Sequence, residues 1–290
     1  MLPESLFPGI DRLDVVCRRF LHGKLPADQT GRRYGATTEF AGYRDYAGGD
    51  DPRLIDWNIY ARMNRLVVKL FESEVNISLH LLLDCSKSCD FGEPNKSLYI
   101  KRVAAALGYI ALAHRHHLTL SAFADGLVAQ GGPLYGRSRL PEAVNFVAGL
   151  ACGGMSRFEA SARRFADQHR QRGICVILSD FMFKEGLESG LGLLCTAGHE
   201  LFCLQMLSPQ EISPSPGEPD VRLSDMEDQR SRFVQINPSV LDRYRANLEA
   251  SRQSVQTAVR RFGGTYQFAA TDTPLDELVL KSLREKRLLV

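Results

Sequence analysis

The sequence predicts an α/β protein built on a doubly wound, mostly parallel sheet. Three segments are apolar over most of their length, as strands buried on both faces are, and they cover residues 77–83, 174–178 and 201–207. Amphipathic helical patterns follow the first two of these segments, at residues 96–114 and 185–196. Strands that alternate with helices in this way form parallel sheets whose crossover helices cover both faces.

The composition is that of an ordinary globular protein. Of the 290 residues, 44% are hydrophobic and 24% are charged, and the net charge is +2. So small a net charge gives no general reason to expect binding to nucleic acid or to a membrane surface.

Two further features of the sequence predict where the protein resides. No apolar run is long enough to cross a bilayer, and the first residues lack the basic and apolar pattern of a signal peptide, so we expect no transmembrane segment. The seven cysteines are odd in number, and several lie within apolar runs, which fits reduced thiols. We therefore expect a cytoplasmic protein.

The N-terminal part of the chain is predicted to form an extension before the sheet. Apolar residues at helical spacing predict a helix over residues 9–22, and a flexible link follows over residues 23–35. Asp51 suits an N-cap and Pro52 a first helical position, so a short helix is predicted over residues 52–63.

Charged residues of opposite sign are interleaved along this extension. They are Arg44, Asp45, Asp50, Asp51, Arg53, Asp56 and Arg62. We interpret them as an ion-pair lattice that holds the extension against the next domain. Trp57, the single tryptophan, is the predicted apolar anchor of that lattice.

The remaining elements follow from apolar runs and turn signals. Asp125 and Gly126 predict a hairpin turn between strands. Further strands are predicted at residues 66–70, 118–123, 127–130 and 265–268, and further helices at residues 139–150, 156–169, 238–262 and 274–287. A proline-rich break at residues 208–219 precedes a predicted hairpin over residues 221–236.

Polar side chains follow two of the buried strands at the point where each strand ends. Asp84, Ser86 and Ser88 come after the first strand, and Asp180 comes after the second. Ligands of open α/β sheets bind beyond the carboxyl ends of the strands, so one site can contain both acids. Carboxylate and hydroxyl oxygens suit a hard divalent cation, Mg²⁺ or Mn²⁺. The alternative is a polar turn in which the serines cap the next helix.

These residues resemble the metal-ion-dependent adhesion site of von Willebrand factor A domains. The upstream run GGDDPRLIDW at residues 48–57, together with Ala61, Arg62, Glu72 and Glu74, is similar to the signature of the bacterial family known as domain of unknown function fifty-eight. The resemblance extends from about residue 31 to the C-terminus. Its signature residues are Asp50, Asp51, Arg53, Asp56, Trp57 and Arg62.

The resemblance implies a von Willebrand A-like fold in which the strands carrying Asp84 and Asp180 are neighbours. Under it, residues 1–75 are an N-terminal segment packed on the core, and residues 76–210 are the core itself. Residues 211–236 are the proline-rich break and an inserted hairpin, and residues 237–290 complete the core. Members are commonly encoded beside AAA+ ATPases of the MoxR type, and the pair is thought to mature or remodel other proteins. In such sites a partner's carboxylate completes the coordination of the metal.

One position departs from this pattern. A threonine usually follows a Gly-Gly pair in a second loop, and here Gly153 and Gly154 are followed by Met155, with Ser156 one residue later. A thioether is a poor magnesium ligand. Either Ser156 takes the role of the threonine, or the site is weak, or it is vestigial.

Three functions are compatible with the sequence. The first is a non-enzymatic module that binds a partner protein through a divalent cation and acts with a MoxR-type AAA+ ATPase on an unknown client protein. The second is a metal-free scaffold of the same fold, which Met155 favours. The third, ranked last, is a metal-dependent phosphohydrolase with Asp90 as its base, although the sequence contains no glycine-rich phosphate loop with a lysine.

Overall fold

The computed structural model describes residues 7–16, 38–50, 52–73, 77–214, 220–224, 231–235 and 237–290. The chain divides into two compact units. Residues 22–76 form the smaller unit, whereas residues 1–21 belong with residues 77–290 in the larger one. Asp51, Glu74 and the predicted link at residues 23–35 lie outside the described residues.

The strands and helices of the described residues have the following bounds. The strands are β1 Thr38–Asp45, β2 Val67–Ser73, β3 Ser78–Asp84, β4 His117–Phe123, β5 Leu127–Tyr135, β6 Ile174–Ser179, β7 Glu200–Leu207, β8 Asp220–Ser224, β9 Ser231–Gln235 and β10 Thr265–Ala270. The helices are α1 Phe7–Ile10, α2 Trp57–Met63, α3 Lys96–Ala113, α4 Leu140–Gly149, α5 Phe158–Gln168, α6 Leu187–Thr196, α7 Pro209–Ile212, α8 Pro238–Arg261, α9 Leu275–Glu277 and α10 Leu283–Glu285. A π-helical turn, Leu278–Ser282, joins α9 to α10.

The larger unit is built on a six-stranded sheet in the order β10-β7-β6-β3-β4-β5. Every neighbouring pair is parallel except β4 and β5, which are antiparallel. The prediction of a mixed α/β fold with a mostly parallel sheet is therefore confirmed. The chain begins the sheet at β3, adds β4 and β5 on one side, and then crosses to β6 on the other. The direction of winding thus reverses between β3 and β6.

The central strand β3 explains why the predicted buried strands are apolar on both faces. Leu81 and Leu83 belong to an apolar cluster on one side of the sheet, whereas Leu82 belongs to a second cluster on the other side. Successive side chains of a strand point to opposite faces, so a strand between two helical layers carries apolar residues on both of its faces. The two clusters hold the sheet between its helices.

The smaller unit contains an antiparallel pair, β1 and β2, and the helix α2. The predicted helix over residues 52–63 is wrong at its start, because residues 52–54 form only a single 3₁₀ turn and α2 begins at Trp57. Asp56 is the N-cap, and its Oδ1 accepts hydrogen bonds from the backbone N–H groups of Asn58 and Ile59. Strand β1 lies in a segment for which no strand was predicted.

Two ion pairs of the smaller unit involve residues of the predicted charge lattice. Arg44 pairs with Asp50 at 2.8 Å, as expected, but Asp45 pairs at 2.8 Å with Arg65, which lies outside the predicted set. Both pairs are exposed, and exposed pairs contribute little to stability. Trp57 is 58% exposed, so the described structure does not bury the predicted anchor.

The predicted helix over residues 9–22 is wrong within the described residues. Helix α1 ends at Ile10, and Val15 forms an antiparallel bridge with Leu289. The N–H of Asp14 donates to the carbonyl of Val290, and the N–H of Val290 donates to the carbonyl of Asp14. Pairing with the C-terminal residues requires extended backbone, which excludes a helix here.

The C-terminal elements follow the predictions closely. The antiparallel pair β8 and β9 confirms the predicted hairpin, although its turn lies outside the described residues. Helix α8 confirms the long amphipathic helix, with Asn237 as N-cap accepting from the N–H of Val240 at 2.9 Å. Strand β10 adds to the edge of the main sheet beside β7.

A buried imidazole in β3 makes stability depend on pH. His80 packs edge-on against Phe165 and His199, and its Nε2 lies 3.0 Å from the carbonyl oxygen of Gln171. Burial, reinforced by the neighbouring imidazole of His199, lowers the pKa of His80 to about 3. The folded protein therefore holds His80 neutral at pH values where the unfolded chain binds a proton.

We expect His80 to contribute stability that is complete above pH 6.5, its ordinary pKa, and is lost as the pH falls towards 3. One such group gives a slope of about 1.4 kcal/mol per pH unit in the free energy of unfolding. Urea unfolding of the wild type and of His80→Gln between pH 4 and 8 measures it, because glutamine keeps a donor but does not titrate. Parallel pH profiles for the two proteins would contradict the assignment.

Candidate functional site

The predicted site residues Asp84 and Asp180 lie side by side at the carboxyl edge of the sheet. Asp84 is the last residue of β3, and Asp180 directly follows β6, the parallel neighbour of β3. Both side chains are buried, and one carboxylate oxygen of each lies within 4.8 Å of the other and of the thiol sulfur of Cys89. The acids therefore meet where the winding of the sheet reverses, as open α/β sheets place their ligand sites.

The carboxylate of Asp84 is fixed from both sides. Its Oδ1 accepts from the backbone N–H of Ser86 at 2.9 Å, and its Oδ2 accepts from the hydroxyl of Ser179 at 2.6 Å. Burial, followed by the negative charge of Asp180, raises the pKa of Asp84 to about 7, and these hydrogen bonds oppose the rise. The orientation of Asp84 is thus set by its own loop and by the end of β6.

The two serines lie together in the serine loop, residues 85–90. The hydroxyl oxygens of Ser86 and Ser88 are 3.0 Å apart, and the hydroxyl of Ser86 donates to the sulfur of Cys89 at 3.8 Å. Neither serine caps α3, because Asn95 accepts from the N–H of Leu98 at the start of that helix. The alternative in which the serines cap the next helix is therefore wrong.

The carboxylate of Asp180 is held by a buried lysine that the sequence analysis did not identify. Its Oδ2 accepts from Lys96 Nζ at 2.8 Å, and its Oδ1 accepts from the N–H of Met182 at 3.1 Å. Lys96 Nζ also donates to Glu211 Oε1 at 2.5 Å. Burial acts to lower the pKa of Lys96, but the charges of Asp180 and Glu211 outweigh it and raise the pKa above its ordinary value.

The second loop of the predicted site, residues 151–157, is bonded to the serine loop. The N–H of Gly153 donates to the carbonyl of Cys85 at 2.8 Å, and the N–H of Lys87 donates to the carbonyl of Gly154 at 3.1 Å. Met155 is 37% exposed, and Ser156 lines a cleft of about 1000 Å³ between this loop, α5 and residues 184–189. Ser156 thus belongs to a loop that borders the serine loop.

The donor set at this edge fits a hard divalent cation. Asp84 and Asp180 supply carboxylate oxygens, and Ser86 and Ser88 supply hydroxyl oxygens, which is the ligand chemistry of Mg²⁺ and Mn²⁺. The thiol of Cys89 is a softer donor that does not suit these cations, and burial raises its pKa well above the ordinary value. The residues that would hold the cation are therefore the four oxygen donors.

The signature residues belong to the smaller unit. Asp50 accepts from Arg44, Asp56 caps α2, and Arg53 and Arg62 have exposed side chains. Asp51 lies outside the described residues.

The helices that the structure describes are all too short or too polar to traverse a lipid bilayer.

Comparison with curated proteins finds relatives of nearly full length. The chain is 26% identical over 279 residues to "Uncharacterized protein Rv1480" of Mycobacterium tuberculosis and to "Uncharacterized protein Mb1516" of Mycobacterium bovis. Each alignment covers 92% of this chain and 86% of the relative.

Among solved structures, "conserved hypothetical protein BatB" from Bacteroides thetaiotaomicron matches 73% of this chain and 98% of its own, at 11% identity and a TM-score of 0.46. An aerotolerance-related membrane protein from Bacteroides fragilis matches the same shares at 15% identity and a TM-score of 0.49.

Comparison with family models finds a match that covers most of the chain, over residues 42–254. The match contains the signature run, the serine loop and Asp180. The chain therefore belongs to the family described as "Protein of unknown function DUF58".

Proposed function

We propose that this protein is a non-enzymatic interaction module of von Willebrand A type that binds a partner protein through a divalent cation. The observation that carries the proposal is the pair of buried carboxylates, Asp84 and Asp180, at the carboxyl ends of adjacent parallel strands, beside two hydroxyls of the serine loop. Such a donor set, with a coordination position left open, suits capture of a carboxylate from a partner.

Each residue has a distinct part in this function. Asp84 and Asp180 supply the negative charge that binds Mg²⁺ or Mn²⁺, and Ser86 and Ser88 complete the set with neutral oxygens. When bound, the cation supplies a positive centre to which an acidic side chain of the partner is attracted. Ser179 holds the orientation of Asp84, and the N–H of Met182 holds that of Asp180.

The partner is proposed from the resemblance to the family rather than from the site. We infer that a MoxR-type AAA+ ATPase acts with this protein in the cytoplasm to mature or remodel an unknown client.

A metal-free scaffold is the second candidate, and one observation favours it. Each carboxylate oxygen of Asp84 and Asp180 already accepts a hydrogen bond from within the protein. On this alternative the acids organise the loops, and partner binding needs no cation.

Replacement of Asp84 by alanine is expected to weaken binding of Mn²⁺ and Mg²⁺ by more than about tenfold, because even the loss of a residue that only orients a ligand costs 10- to 100-fold in metal affinity. Isothermal titration calorimetry measures the affinity. Asp242→Ala removes an exposed acid on α8 and serves as the matched control, with unchanged binding expected.

Capture of the purified MoxR-type partner in Mn²⁺ and in chelator separates the two candidates. The proposal requires that chelator and Asp84→Ala both abolish capture while thermal unfolding shows a folded variant. Capture that survives both treatments, with no cation bound by the wild type, would establish the metal-free scaffold instead.

A further inference from the structure

A buried lysine connects the candidate cation site to a glutamate outside it. The Lys96 side chain is 1% exposed and lies at the start of α3, with its Nζ bonded to Asp180 and to Glu211. The family resemblance assigns a role to Asp180 but none to Lys96 or Glu211. A buried ammonium group next to a cation ligand must affect how that ligand binds a cation.

We propose that Lys96 competes with the divalent cation for Asp180 and so limits the affinity of the site, and that Glu211 holds Lys96 when the cation takes Asp180. This inference rests on the proposed cation site. It assigns to the protein an internal positive charge that limits the affinity of the site, so that a cation binds only by displacing an ammonium group from one of its two partners.

The charges of the site support the competition. Asp180 Oδ2 lies 2.8 Å from Lys96 Nζ, so a cation bound to that oxygen lies close to a like charge in a buried environment. Repulsion between charges at such distances is much stronger in a protein interior than in water. The ammonium group also neutralises the negative charge of Asp180 that a divalent cation requires.

Glu211 is positioned to pair with Lys96 after the cation displaces it from Asp180. Its Oε1 already accepts from Lys96, and its Oε2 accepts from both the N–H and the hydroxyl of Ser208, at 2.8 and 2.9 Å. The bond from the Ser208 N–H belongs to the capping box of α7, and the two bonds together fix the carboxylate in place. Lys96 can therefore release Asp180 and keep its own charge paired. An unpaired buried charge would be strongly destabilising.

The proposal predicts opposite effects for two substitutions. Lys96→Met removes the competing charge and is expected to raise the affinity for Mn²⁺ by at least about tenfold. Glu211→Gln removes the alternative partner, leaves Lys96 with Asp180 alone, and is expected to lower the affinity several-fold. Calorimetric titration of Mn²⁺ into the full-length wild type and into both variants measures these changes.

A double variant serves as the control for effects of the substitution on folding. Lys96→Met leaves Asp180 and Glu211 without a counter-charge, so Lys96→Met/Glu211→Gln, which keeps the net charge of the wild type, is titrated beside it. Circular dichroism and thermal unfolding verify the fold of each protein. The double variant is also expected to bind Mn²⁺ more tightly than the wild type, and it decides the question if the single variant does not fold.

The outcomes separate this inference from the proposed function. Wild-type binding that is unchanged or weakened without Lys96 would overturn the competition and leave the cation site standing. An absence of binding in the wild type and in every folded Lys96 variant would overturn both. Tighter binding of Mn²⁺ after removal of Lys96 would establish the competition. Binding that appears only after removal of Lys96 would also establish it, and would show that the lysine keeps the cation out of the native site.

Discussion

Replacement of Asp180 by alanine is expected to lower the free energy of unfolding by about 1–3 kcal/mol, the usual cost of leaving buried hydrogen-bonding groups without a partner. The substitution removes one of the two carboxylates that hold buried Lys96, whose charge stays paired with Glu211, so the full cost of an unpaired buried charge is not expected. It also leaves the N–H of Met182 without its acceptor. Urea unfolding monitored by circular dichroism measures the change.

The matched control is an exposed ion pair of the same larger unit. Arg261 and Glu188 are 2.7 Å apart with both side chains mostly exposed, so Glu188→Ala is expected to cost less than about 1 kcal/mol. If Asp180→Ala lowers the free energy of unfolding no more than Glu188→Ala does, the burial of Lys96 does not depend on its contact with Asp180. The comparison also bears on function, because lost partner binding in an Asp180 variant has meaning only if the variant is folded.

Replacement of Gly173 by alanine is expected to destabilise the protein by about 3 kcal/mol, at the upper end of what overpacking usually costs. A Cβ atom there would lie 2.0 Å from the carbonyl oxygen of Ser78 and 2.9 Å from its carbonyl carbon. Both are backbone atoms at the start of β3, so no side-chain rotation relieves the clash, and β3 and β6 must move apart. Thermal and urea unfolding measure the loss.

Gly149→Ala is the control for this prediction. Gly149 is the last residue of α4, and a Cβ atom there has no neighbour within 4 Å. Because alanine has less conformational freedom than glycine in the unfolded chain, we expect a neutral or slightly stabilising effect. Equal effects at the two positions would show that the sheet tolerates the added methyl group at Gly173.

The sheet was predictable because its strands are buried on both faces. Largely apolar runs at β3, β6 and β7 leave few alternatives, and their alternation with helices requires parallel neighbours. The meeting of Asp84 and Asp180 followed from the same reasoning, since the carboxyl ends of parallel strands share an edge. This part of the candidate site depends on backbone topology alone.

The lysine network was not predictable from the same patterns. Lys96 is 84 residues from Asp180 and 115 from Glu211, and its position on an amphipathic helix does not reveal which way its side chain points. A lysine at the start of a helix is usually solvated. Only the packing of α3 against the carboxyl edge of the sheet brings Nζ between the two acids.

The errors near the N-terminus have a similar origin. Asp56 and Asp51 both satisfy the rule for an N-cap, and local sequence does not choose between them. The helical spacing of Ile10 and Leu13 describes the buried face correctly, but the pairing of Asp14 with Val290 is a contact between opposite ends of the chain. No local pattern encodes a partner so distant in sequence.

That pairing has a consequence for the order in which the protein is assembled. A ribosome makes the chain from its N-terminus, and the backbone groups of Asp14 and Val16 pair with those of residues 288–290, which are synthesised much later. Every strand of the main sheet is synthesised after residues 14–16 and before residues 288–290. The strand-like segment at residues 14–16 is therefore among the last parts of the larger unit to be fixed in place, because it pairs with residues 288–290.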